Sequence, residues 1–76
     1  MINRDKVLIK RAAALNDADV DYERSAVEEL DGEEYVILRS NADILSVFFV
    51  DEWQVKKLEP ENWPDYLLEE AESVEA

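Results

Sequence analysis

The chain has 76 residues, 47% of them hydrophobic, with a formal net charge of −12, one glycine, and neither cysteine nor histidine. That length allows one domain at most. The missing residue types exclude a disulfide framework, a thiolate or imidazole metal centre, nucleophilic chemistry that depends on Cys or His, and a glycine-rich phosphate loop.

Residues 4–15 read as an α-helix, with Asn3 as N-cap, the helix formers Ala12, Ala13 and Ala14 inside, and Asn16 as the stop. Leu8, Ile9, Ala12, Ala13 and Leu15 share one face, and Lys6, Lys10 and Arg11 occupy the rest of the circumference. Residues 19–30 admit two readings. As a helix, they gather Val20, Tyr22, Ala26, Val27 and Leu30 in one arc, with an Arg24–Glu28 pair and Gly32 as the terminator. As a strand, they lead into an Asp31-Gly32 hairpin turn but alternate poorly. The helix is the expectation carried forward.

Residues 35–39 and 44–50 are β-rich and separated by the turn cluster Ser40-Asn41-Ala42-Asp43, and a shorter strand is expected around residues 54–58. Residues 44–50 are apolar on both faces under strict alternation, with Ile44, Phe48 and Val50 on one and Leu45, Val47 and Phe49 on the other. Such a strand belongs at the centre of a sheet covered on both sides, by the chain's own helices or by a partner. Asn62-Trp63-Pro64-Asp65 opens a C-terminal helix with an apolar stripe of Trp63, Tyr66, Leu67, Ala71 and Val74. The expected architecture is α+β: two N-terminal helices, a three-stranded antiparallel meander over residues 34–58, and a C-terminal helix.

Charge is unevenly spread: residues 1–15 carry +3 and residues 16–76 carry −15. An acidic body repels phosphate backbones and anionic lipid, so direct nucleic-acid and membrane binding are not expected. No apolar run reaches membrane-spanning length, and Lys10 and Arg11 interrupt the apolar N-terminal residues, so a cytoplasmic location is expected.

Paired carboxylates are frequent, but they sit beside other charges in turn-like or helix-surface contexts. General acid–base work needs one of them in an apolar pocket. Ser25, Ser40, Ser46 and Ser73 have no histidine to activate them, and Lys56-Lys57 reads as an edge guard. The expectation is a non-enzyme without cofactor or metal.

Asp17, Asp19, Asp21, Glu23 and Glu28 partly match a calcium loop, but Tyr22 stands where that loop needs glycine. The acidic clusters Glu28, Glu29, Asp31, Glu33, Glu34 and Glu69, Glu70, Glu72 suit a basic protein partner, or could imitate DNA phosphates in a basic groove. Trp53, in a polar turn, is the leading single contact residue. The two-sided strand also admits a homodimer through a sheet face. The reading is a non-catalytic acidic interaction module, with a DNA-mimicking inhibitor and a calcium-binding regulator as alternatives.

Overall fold

The computed structural model describes residues 3–16, 19–41 and 43–74. Helix α1 (Arg4–Leu15) precedes the strands β1 (Ala26–Leu30), β2 (Glu33–Ser40), β3 (Asp43–Asp51) and β4 (Gln54–Lys57). A short 3₁₀ turn (Pro60–Asn62) then leads into helix α2 (Asp65–Val74). The strands form one antiparallel sheet in the order β1-β2-β3-β4, so every neighbour in space is a neighbour in sequence. Among the described residues, no helix is long and apolar enough to cross a membrane.

Helix α1 begins and ends where the cap residues place it. The Asn3 side chain accepts a hydrogen bond from the Lys6 amide at 3.2 Å, and Asn16 closes the last turn through its own amide to the Ala13 carbonyl. Leu8, Ile9 and Ala12 are buried against Val36, Leu38, Phe48 and Val50 of the sheet. On the opposite face, Leu67 of α2 is buried with Ile37 and Val47, and Tyr35, Ile44, Leu58 and Trp63 pack around them. The sheet is therefore covered by α1 on one side and by α2 on the other.

Strict alternation fails at one place in β3. Leu38 pairs with Ser46 and Arg39 with Ile44, which leaves Leu45 as an extra residue. A bulge of this kind shifts side-chain parity. Ile44 consequently joins the α2 side and Leu45 the α1 side, the reverse of the sequence expectation.

The expected second helix is absent, and the meander has four strands rather than three. Residues 22–24 form a turn and residues 26–30 form β1. Two local features oppose a helix here. Asp31 and Gly32 both have positive φ, 52° and 83°, as a two-residue type I′ hairpin requires. Upstream, the Asp21 carboxylate accepts from the Glu23 amide, and the buried Ser25 hydroxyl donates to the Asp21 carbonyl while accepting from the Arg39 amide. The apolar arc was misleading because β1 is an edge strand that turns just Val27 toward the core. Leu15, expected on the buried face of α1, is 62% exposed. Trp63 packs onto the α2-side core, and Lys56 and Lys57 are exposed on the edge strand β4.

The fully buried Phe48 carries much of the α1-side core. Phe48→Ala is expected to cost about 3–5 kcal/mol, close to the whole stability of a chain this size at roughly 0.05–0.15 kcal/mol per residue. Circular dichroism should show the variant largely unfolded at a temperature where the parent is folded. A Cβ built on Gly32 meets nothing within 4 Å, so Gly32→Ala tests backbone conformation alone. It should destabilise by about 1 kcal/mol in urea titration, and Gly32→Asn by less.

Candidate partner-binding surface

The basic helix does not sit free beside the acidic body. Arg4 makes a fork-to-fork pair with Glu34 on β2, at 2.7 and 3.0 Å, and also donates to the Glu52 carbonyl at 2.6 Å. Its guanidinium lies 5.6 Å from the centroid of the Trp53 ring. Arg11 donates to the Trp53 carbonyl. Hydrogen bonding to Glu34, ahead of the general field of the nearby acids, raises the Arg4 pKa further. These contacts strap α1 to the β3–β4 turn, where Glu52 adopts a positive φ of 56°.

A second strap holds α2. Arg39 on β2 donates to both carboxylate oxygens of Glu70, at 2.6 and 3.2 Å, and Tyr66 donates its hydroxyl to Glu28 on β1. Partial burial, followed by the hydrogen bond to Glu28, pushes the Tyr66 phenol up to about 12. The hydrogen bond from Arg39 lowers the Glu70 carboxyl below its ordinary range.

These straps sort the acids singled out from sequence. Glu28, Glu34 and Glu70 hold the fold together. Glu69 is exposed on α2, and the Glu72 side chain lies outside the described residues. Glu29, Asp31 and Glu33 share the β1–β2 hairpin, all exposed, and none pairs with a lysine or arginine among the described residues. Trp53 occupies the other turn at the same end of the sheet and is 42% exposed. Its ring belongs to the α1 strap as well as to the surface, so it anchors structure at least as much as it offers contact.

The suggested calcium loop is not assembled among the described residues. Asp17 lies outside them, Asp21 turns to Arg24 in an ion pair at 3.1 Å, and Glu28 serves Tyr66. No group of three or more carboxylates there could hold a metal ion.

Sequence reasoning missed a set of residues at the hairpin end of the α2-side face. Tyr35 and Phe49 are cross-strand partners whose rings meet edge to face, with centroids 5.9 Å apart and planes at 74°. Tyr35 donates its hydroxyl to Glu33 at 2.8 Å, which raises the phenol pKa. Lys56 pairs across from Phe49, and Asp51 across from Gln54. The signal that could have found them was the pair of turns on either side of β2: Asp31-Gly32 sets Glu28 opposite Tyr35, and the turn between Ser40 and Asp43 sets Tyr35 opposite Phe49.

No protein-family model matches this chain, and no curated protein or solved structure does either. The functional reading therefore rests on the geometry.

Because its folded pKa is depressed, Glu70 contributes stability that is fully present above the unfolded carboxylate value and is lost as pH falls through the folded one. Its side chain is 40% exposed, so Glu70→Gln should cost about 0.5–1 kcal/mol at neutral pH. The gap between parent and variant, followed by urea titration, should close as pH is lowered from neutral through the depressed Glu70 pKa.

Proposed function

We propose that the chain is a non-catalytic module that binds a basic protein surface through the hairpin end of its sheet. One observation carries this reading. After the two arginine straps have engaged Glu34 and Glu70, Glu29, Asp31 and Glu33 remain exposed without a cationic partner among the described residues, beside Asp51 and Glu52 of the neighbouring turn. Like charges gathered on adjacent strands repel one another, and a basic partner converts that repulsion into attraction and faster encounter. The same charge disfavours phosphate backbones and anionic lipid, so the partner is protein rather than nucleic acid or membrane.

The test is affinity capture from the source lysate at about 0.05 and 0.5 M salt, with and without added duplex DNA, comparing the parent with Glu29→Lys/Asp31→Lys/Glu33→Lys. Basic proteins retained at low salt and lost from the triple variant support the reading. Equal retention by parent and variant removes it. Displacement by duplex of every captured protein instead favours the DNA-mimicking alternative, because the acids would then be occupying nucleic-acid grooves.

A further inference from the structure

Helix α2 covers one half of its sheet face and leaves the other half open. Its apolar anchor Leu67 sits on Ile37 and Val47, and its polar anchors reach Glu28 and Arg39. The next row toward the hairpin end runs Glu28, Tyr35, Phe49, Lys56 across the four strands. Beyond it lie Leu30 and Glu33, which pair with each other, and Asp51 and Gln54, which do likewise. Leu30 is 38% exposed, and a groove of about 290 Å³ lies against Phe49, Asp51, Gln54, Val55 and Lys56.

Two features of this half-face point to what covers it. The aromatic pair gives it an apolar centre that water wets poorly, and half-buried aromatics of this kind serve as contact anchors. Around the pair stand Glu28, Glu33 and Asp51, against Lys56 as the cation of the row. Glu33 and Asp51 each lie one residue beyond the Glu34–Val50 pair, so two carboxylates occupy adjacent strands where opposite charges would serve the fold better. A second copy of the chain docked face to face would bring together two surfaces on each of which Glu28, Glu33 and Asp51 outnumber Lys56. A segment carrying cations beside an apolar side chain would relieve the repulsion and cover the rings.

We infer that the open half-face centred on Tyr35 and Phe49 is a docking surface for a cationic, apolar-studded segment of a partner protein. An apolar side chain of that segment lies on Phe49, and flanking guanidinium or ammonium groups meet Glu33 and Asp51. The inference rests on the acidic-module reading and narrows it, since a purely electrostatic partner needs neither ring.

The probes are three short peptides: one alternating Arg and Leu, a shorter oligo-arginine with the same number of arginines, and one alternating Ser and Leu of the same length as the first. Binding is followed through backbone amide shifts of the isotope-labelled protein. The Arg-Leu peptide should bind roughly tenfold tighter than oligo-arginine, with its largest shifts at Tyr35, Phe49 and Lys56, and the Ser-Leu peptide should bind weakly. Phe49→Thr should abolish the preference for Arg-Leu over oligo-arginine. Glu33→Gln/Asp51→Asn, which changes exposed side chains and leaves the rings in place, should weaken both cationic peptides. Equal affinity for the two cationic peptides, with shifts confined to residues 29–33, would overturn the docking surface and leave the acidic module standing. Binding of neither would overturn both. Shifts at Phe49 that grow with protein concentration alone, together with a dimer in sedimentation equilibrium, would overturn the inference by making a second copy the occupant.

Discussion

Everything in this fold answers to the need of β3 for cover on both faces. Phe48 and Val47 are adjacent in sequence, fully buried, and on opposite sides of the sheet. An antiparallel sheet can usually leave one face to solvent, but a strand apolar on both faces cannot. The chain meets this demand with two helices reached from opposite ends of the sequence. Helix α1 supplies Leu8, Ile9 and Ala12 to one side, and α2 supplies Leu67 to the other. The two covers are unequal in apolar payload. That inequality leaves Tyr35 and Phe49 half-buried at the hairpin end.

The electrostatics follow from the same arrangement. With net charge −12, acids outnumber cations twenty to eight. Arg4 and Arg39, one on each side of the sheet, form the forked pairs that fix the helices to it, with Glu34 and Glu70 as partners. Guanidinium groups suit this role because their planar forks engage both carboxylate oxygens at once. Those pairs engage Glu34 and Glu70, whereas Glu29, Asp31 and Glu33 of the β1–β2 hairpin stay exposed without a lysine or arginine partner among the described residues.

Much of this was legible beforehand. The N-cap Asn3, the alanine run and Asn16 delimit α1 through local chemistry, and the β-branched and aromatic runs place β2 and β3. The helical reading of residues 19–30 failed because hydrophobic periodicity is a poor guide to an edge strand, where Val27 alone points to the core and the remaining pattern is set by solvent. Turn chemistry at Asp31-Gly32 was the stronger signal. Of the predicted contact residues, Glu29, Asp31 and Glu33 are exposed along the β1–β2 hairpin, Glu29 and Glu33 on opposite faces of the sheet, whereas Glu28, Glu34 and Glu70 are engaged in holding the fold. Which carboxylate meets an arginine depends on residues some thirty positions away, as with Arg4 and Glu34 or Arg39 and Glu70.

By itself the sequence determined the composition-level exclusions, the caps of α1, the central place of β3 and the acidic balance, because each depends on residue type or on neighbours a few positions apart. Tertiary structure alone decided the parity change at Leu45, the division of acids between straps and surface, and the open aromatic half-face. The physical reason is common to all three: they depend on strand register and helix docking, which bring together side chains that no local pattern relates.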